Sequence, residues 1–151
     1  MGFSGAVKLE HWENASIDGL KVIAVPALCN VKQNGYVFQG EGCIYFGGDT
    51  GFFTGLKEIG EKFKIDVALL PIDGVKFRGT RRMGMNPSEA ARMLKAKIAI
   101  PIHYHGNYNS LILKLLRDFV PGTPEQFCEA LSKLAPEVKA VVLQHGRSWQ
   151  A

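Results

Sequence analysis

Tyr45-Phe46-Gly47-Gly48-Asp49-Thr50-Gly51-Phe52-Phe53 is the stretch on which the fold of this chain turns. The apolar run from Cys43 to Phe46 reads as a short strand. Paired glycines then let the backbone reverse with φ > 0, and one carboxylate follows. Asp49 is thereby expected to project from the carboxyl end of the strand, the edge of an open α/β sheet where ligands and metals collect. The plainer alternative is a strand-to-helix turn in which Asp49 only caps a helix. A second apolar run, Ile98-Ala99-Ile100-Pro101-Ile102, ends in His103-Tyr104-His105. A carboxylate and an imidazole, each closing a buried strand, are side chains that a metal-dependent hydrolase requires.

Working outward, the residues before Asp49 read as an antiparallel meander of four strands. These are Ala6 to Leu9, Leu20 to Val25, Tyr36 to Gln39 and Cys43 to Phe46, with a hairpin signal at Asp18-Gly19 and a tight turn at Gly40-Glu41-Gly42. After Asp49 the period changes. Leu56, Ile59, Gly60 and Phe63 fall at helical spacing, and Val67 to Ile72 is the continuous apolar run of a strand covered on both faces. A long loop is expected from Asp73 to Met85. Asn86-Pro87-Ser88-Glu89 then starts a helix to about Leu94, which leads into the strand Ile98 to Ile102. Helices are predicted from Asn109 to Phe119 and from the cap at Thr123-Pro124-Glu125 to Leu134, with a last strand from Val138 to Leu143. The layout is α/β, an antiparallel opening followed by β-α-β-α-β-α-β with helices packed on the sheet.

A chain of 151 residues suits a single domain with a real core. The net charge of +4 is mild, the lysines are scattered and no aromatic-studded basic stripe is present, so nucleic acid is not an expected partner. The one basic cluster, Lys76-Phe77-Arg78-Gly79-Thr80-Arg81-Arg82, is either a solvated loop or a contact for substrate anions through Arg78, Arg81 and Arg82. Three cysteines without CxxC spacing argue against a disulfide framework and a thiolate zinc knuckle, and for a reducing compartment. With no signal peptide and no apolar window long enough for a membrane span, a cytoplasmic protein is expected.

Five segments in this order resemble the metallo-β-lactamase superfamily, within it the lactonase-like and uncharacterised metal-dependent hydrolases. They are Val25-Pro26-Ala27 with Gly35-Tyr36-Val37, Ile44 to Gly51, Asp66 to Ile72, Met85 to Ala91, and Ala99 to Tyr104. The resemblance extends from about Val7 to Trp149. It implies half of a four-layered αββα sandwich, with metals at one edge of two facing sheets. Asp49 is then implied to be the carboxylate that bridges two metal ions, zinc or manganese, and His103 the last histidine ligand. The bridging water, deprotonated near neutral pH, is the nucleophile such sites use.

The chain departs from the family pattern in two places. The H-x-H-x-D-H motif of the first half of the fold has no counterpart here. Where the family has a histidine after Pro-Ala, this sequence has Leu28-Cys29-Asn30, so Cys29 is either a ligand for a soft metal or a small buried hydrophobe. His105, at strand spacing from His103, is a further possible ligand or an exposed loop residue. Asp49 and His103 alone fall short of the three protein ligands of a catalytic zinc. A lone half would also leave an apolar sheet face in water. The expectation is therefore a partner, either a second copy in a homodimer or an N-terminal fragment completing a split hydrolase, with little activity in the chain alone. The alternative is a non-catalytic module that holds a small anionic ligand in the old cleft.

Overall fold

Strict alternation of buried and exposed residues, as in Cys43-Ile44-Tyr45-Phe46, is what a pleated strand imposes on a chain that covers one face first. The computed structural model describes residues 4–29, 32–77, 93, 95–104, 117–121 and 123–150. Seven strands form the main sheet in the order β1-β2-β3-β4-β5-β7-β9. They are β1 (Asn14–Ile17), β2 (Leu20–Pro26), β3 (Asn34–Gln39), β4 (Cys43–Phe46), β5 (Val67–Pro71), β7 (Ile98–Ile102) and β9 (Lys139–Ala140). A separate antiparallel ribbon pairs β6 (Asp73–Phe77) with β8 (Arg117–Pro121). β1 to β4 pair antiparallel, and β4, β5, β7 and β9 pair parallel. The mixed α/β sheet is thus the one the sequence predicts, and β2, β4, β5 and β7 all end at the same edge.

The register sorts the side chains into two faces. Ile23, Val37, Tyr45, Ala68 and Ala99 are cross-strand neighbours on one face, and all five are buried. Helix α1 (Gly55–Lys62) contributes Leu56 and Ile59 to that core, and helix α2 (Pro124–Leu134) contributes Phe127 and Leu131. α2 begins with a complete capping box. The Thr123 hydroxyl accepts the Gln126 N–H at 3.2 Å, and the Gln126 side chain accepts the Thr123 N–H at 3.2 Å. Trp12 packs against the same core under the Lys62 ammonium, 3.8 Å from the ring centre.

Val22, Phe38, Ile44, Val67 and Ile98 make the corresponding row on the opposite face, one residue out of step. Here Ile17, Leu20, Ile44 and Phe46 remain 58, 39, 41 and 37 % exposed, although Ala24 and Ile100 on this face are buried. At the amino edge of the sheet Asp66 ties three strands together. Its carboxylate accepts the Cys43 N–H at 2.9 Å and meets the Lys97 ammonium at 2.7 Å. The Lys97 contact, and after it the Cys43 hydrogen bond, hold this carboxyl below its usual range.

Four expectations are corrected. Ala6 to Leu9 is not a strand; the Leu9 carbonyl accepts from the Asn34 side-chain amide, and the strand that pairs with β2 is instead Asn14–Ile17. The expected loop from Asp73 opens with five residues of strand, Asp73–Phe77. The helix expected to reach Phe119 has given way by Arg117 to β8, where pairing with β6 and the proline at 121 favour extended backbone. The last strand is cut to Lys139–Ala140, with one further hydrogen bond from Val141 N–H to the Ala99 carbonyl. The helix predicted from Asn86 lies, apart from Met93, outside the described residues.

Candidate metal centre

Three strand ends build the site. β4 continues for one residue beyond Phe46, since Gly47 N–H donates to the Leu69 carbonyl at 3.0 Å. A Cβ at Gly47 would stand 3.1 Å from Pro71 Cδ and 3.2 Å from the Leu69 carbonyl, so any side chain here would have to push β5 back by a few tenths of an ångström. Gly48 then reverses the chain with φ +60°, and Thr50 N–H donates back to the Gly47 carbonyl at 3.2 Å. The turn places Asp49 at the carboxyl edge, half-buried. It is not the cap of α1, which starts after Thr54 with no side-chain cap.

The second strand end is pinned to this turn by Thr50, which is completely buried. Its hydroxyl accepts the Leu28 N–H at 2.9 Å and donates to the Gly51 carbonyl at 3.1 Å. Gly51 N–H donates to the Leu28 carbonyl at 2.7 Å. Leu28 is therefore held through both its backbone groups, and the next residue, Cys29, faces the carboxylate, with Sγ 4.0 Å from Asp49 Oδ2. Sequence reasoning passed over Thr50. The available signal was a hydroxyl between Asp49 and Gly51 in a stretch otherwise glycine-rich and apolar.

β7 supplies the third end. Ile72 N–H donates to the Ile102 carbonyl at 3.1 Å and carries the β5–β7 pairing to its limit. His103 follows at once, in left-handed backbone with φ 59°, a conformation uncommon outside glycine and often found at functional sites. Its Nδ1 lies 3.7 Å from Asp49 Oδ1.

One carboxylate thus has an imidazole beside one oxygen and a thiol beside the other. Two donors on the same tetrahedral zinc stand about 3.4 Å apart, from bond lengths near 2.1 Å. Each pair is close to that spacing, the histidine pair more so. The two carboxylate oxygens of Asp49 face different neighbours, His103 at Oδ1 and Cys29 at Oδ2. Among the described residues no three His, Cys, Asp or Glu side chains are near enough together to hold one ion. Asp49 with His103, and Asp49 with Cys29, are two incomplete sets that share a member. Asp49, His103 and Cys29, named from sequence, are brought together. His105, Arg78, Arg81 and Arg82 lie outside the described residues.

Comparison with known proteins agrees with this architecture. Residues 3–104 match the model of the beta-lactamase superfamily domain. The chain is 39 % identical over 139 residues to a UPF0173 metal-dependent hydrolase of Sulfurisphaera tokodaii, covering 87 % of this chain and 53 % of that protein. It is 31 % identical over 150 residues to one from Methanopyrus kandleri, covering 89 % of this chain and 58 % of the relative. Among solved structures, the metallo hydrolase Igni18 of Ignicoccus hospitalis superposes with a TM-score of 0.68 at 23 % identity, over 93 % of this chain and 58 % of that one. The chain therefore spans a little over half the length of the curated relatives it matches. Among the described residues no helix is long and apolar enough to cross a membrane.

Proposed function

The chain belongs to the beta-lactamase superfamily, and on that premise we propose that it is the carboxylate-and-imidazole part of a metal-dependent hydrolase acting on an ester, lactone or phosphoester. The observation that carries the reading is Asp49 standing between His103 and Cys29 at one sheet edge, 3.7 and 4.0 Å away. Asp49 and His103 are the metal ligands in this proposal, with zinc or manganese as the ion. Cys29 is a third donor, and its thiolate would favour zinc over manganese. His105 remains a possible fourth. Arg78, Arg81 and Arg82 are proposed on charge alone as contacts for substrate anions.

The set is too small for catalysis without help, so we further propose that a partner completes it. Two observations support this. The apolar row on the second sheet face is exposed at Ile44 and Phe46, and the chain matches only 58 and 53 % of two metal-dependent hydrolases that it resembles. A second copy of this chain, or an N-terminal fragment carrying the remaining ligands, would cover that face and bring donors to the Asp49 edge. Three unpaired cysteines support a reducing, cytoplasmic setting for the assembly.

The test is mass and metal content measured together, by light scattering with elemental analysis, on the parent chain and Asp49→Ala. A dimer carrying about one zinc or manganese per pair, emptied by Asp49→Ala, is the expected result. A metal-free dimer overturns the metal reading and leaves a binding module. A metal-free monomer overturns the homodimer and directs the search to a complementing fragment.

A further inference from the structure

A groove of about 440 Å³ lies beside the start of β3, with Lys8, Glu10, Lys32, Gln33, Asn34 and Tyr36 in its walls. Its centre is a carboxylate bound by two cations: Lys8 Nζ is 2.9 Å from Glu10 Oε1, and Lys32 Nζ is 2.5 Å from Glu10 Oε2. The Lys32 contact first, and then Lys8, hold the Glu10 carboxyl down to about 2, so it stays ionised throughout the neutral range. Glu10 is itself positioned from behind, because its N–H donates to Glu13 Oε2 at 2.8 Å. Asn34 is used structurally, its amide donating to the Leu9 carbonyl at 2.9 Å. The Gln33 amide is not. Its Nε2 is shielded from solvent and has no hydrogen-bond partner among the described residues, an arrangement that costs free energy unless an acceptor is supplied.

Two ammonium groups gathered on one carboxylate, beside a shielded amide donor and an aromatic side chain, make a receptor for a small oxyanion. We propose that this groove binds a ligand carrying a phosphate or carboxylate group, with Lys8 and Lys32 on the anion and Gln33 on a further acceptor. In the free protein Glu10 occupies the anion position. The proposal goes beyond the hydrolase reading and does not rest on it, since anion binding here needs no metal.

The test is titration of the metal-free, 15N-labelled chain with inorganic phosphate and, separately, acetate, followed through the backbone amides of Lys8, Glu10 and Lys32 and the Gln33 side-chain NH₂. Saturable shifts confined to these signals are expected for at least one anion, and the stronger of the two identifies the group the ligand carries. Glu10→Gln removes the internal competitor and should tighten binding about fivefold, while adding Lys32→Ala to it should remove the gain. Glu129→Gln is the control. It makes the same charge change and frees Lys133 from its 2.5 Å ion pair on α2, a helix that contributes nothing to the walls of the groove. Equal tightening by Glu129→Gln would reduce the effect to net charge and overturn the proposal. So would the absence of saturable shifts with both anions in the Glu10→Gln chain, provided its spectrum keeps the dispersion of the folded parent.

Discussion

The two faces of the sheet are made from the same strands in alternate residues, yet they meet different fates. Ile23, Val37, Tyr45, Ala68 and Ala99 are sealed under α1 and α2, whereas the adjoining row holds Ile44 at 41 % exposure and Phe46 next to it at 37 %. Both rows are apolar, so hydropathy does not separate them. The difference is that, among the described residues, one face has two helices packed on it. Alternating strands that end in water ordinarily carry polar residues on that side, and the exposed apolar side chains along β1, β2 and β4 are the reason a partner is proposed. The Asp49 edge repeats the lesson at smaller scale. Two pairs share one carboxylate there, but among the described residues the set does not close.

The comparison breaks most visibly at the covered face. Phe127 is wholly buried between α2 and the sheet, and Phe127→Ala should cost about 3–5 kcal/mol, read as a lower urea midpoint with an unchanged slope. A loss under about 1 kcal/mol would mean that α2 is not what seals this face. Removing the cap tests the same covering more gently. Thr123→Ala deletes the acceptor of the Gln126 N–H and should cost about 1 kcal/mol, with Thr123→Ser restoring most of it. On the open face the stability effect should be smallest and the association effect largest. Phe46→Thr keeps a strand-forming residue and should change stability by less than about 1 kcal/mol, because the ring is not in the core. The same substitution should weaken dimerisation or fragment capture, measured by light scattering across a concentration series. If Phe46→Thr destabilises the monomer as Phe127→Ala does, the contrast between the faces is wrong.

Several parts of this arrangement were legible in the residues. Cys43 to Phe46 is a strand at the boundaries predicted, Asp18-Gly19 is the hairpin turn with both residues at positive φ, and Thr123 is the cap of a helix that ends at Leu134. In each case the signal is local: a short apolar run between glycines, a turn pair, a capping residue before a proline. The failures are those in which the partner is distant in sequence. Asp73–Phe77 and Arg117–Pro121 extend because they pair with each other across some forty residues, and no periodicity within either segment announces that ladder. Ala6 to Leu9 has the composition of a strand but no strand to join.

For the site, Asp49 and His103 could be named because a carboxylate and an imidazole each close an apolar run, in an order that resembles a known family. That they face each other at 3.7 Å is a consequence of parallel β4, β5 and β7, which bring ends separated by more than fifty residues to one edge. The approach of Cys29 to Asp49 depends on Thr50 and Gly51 holding Leu28 from both sides, contacts between residues some twenty positions apart. The sequence by itself determined the chemistry available and the elements that carry it, because residue type, capping and alternation act over a few neighbours. The tertiary structure alone decided which of those groups meet and which apolar face is covered, because both depend on pairings between segments remote along the chain.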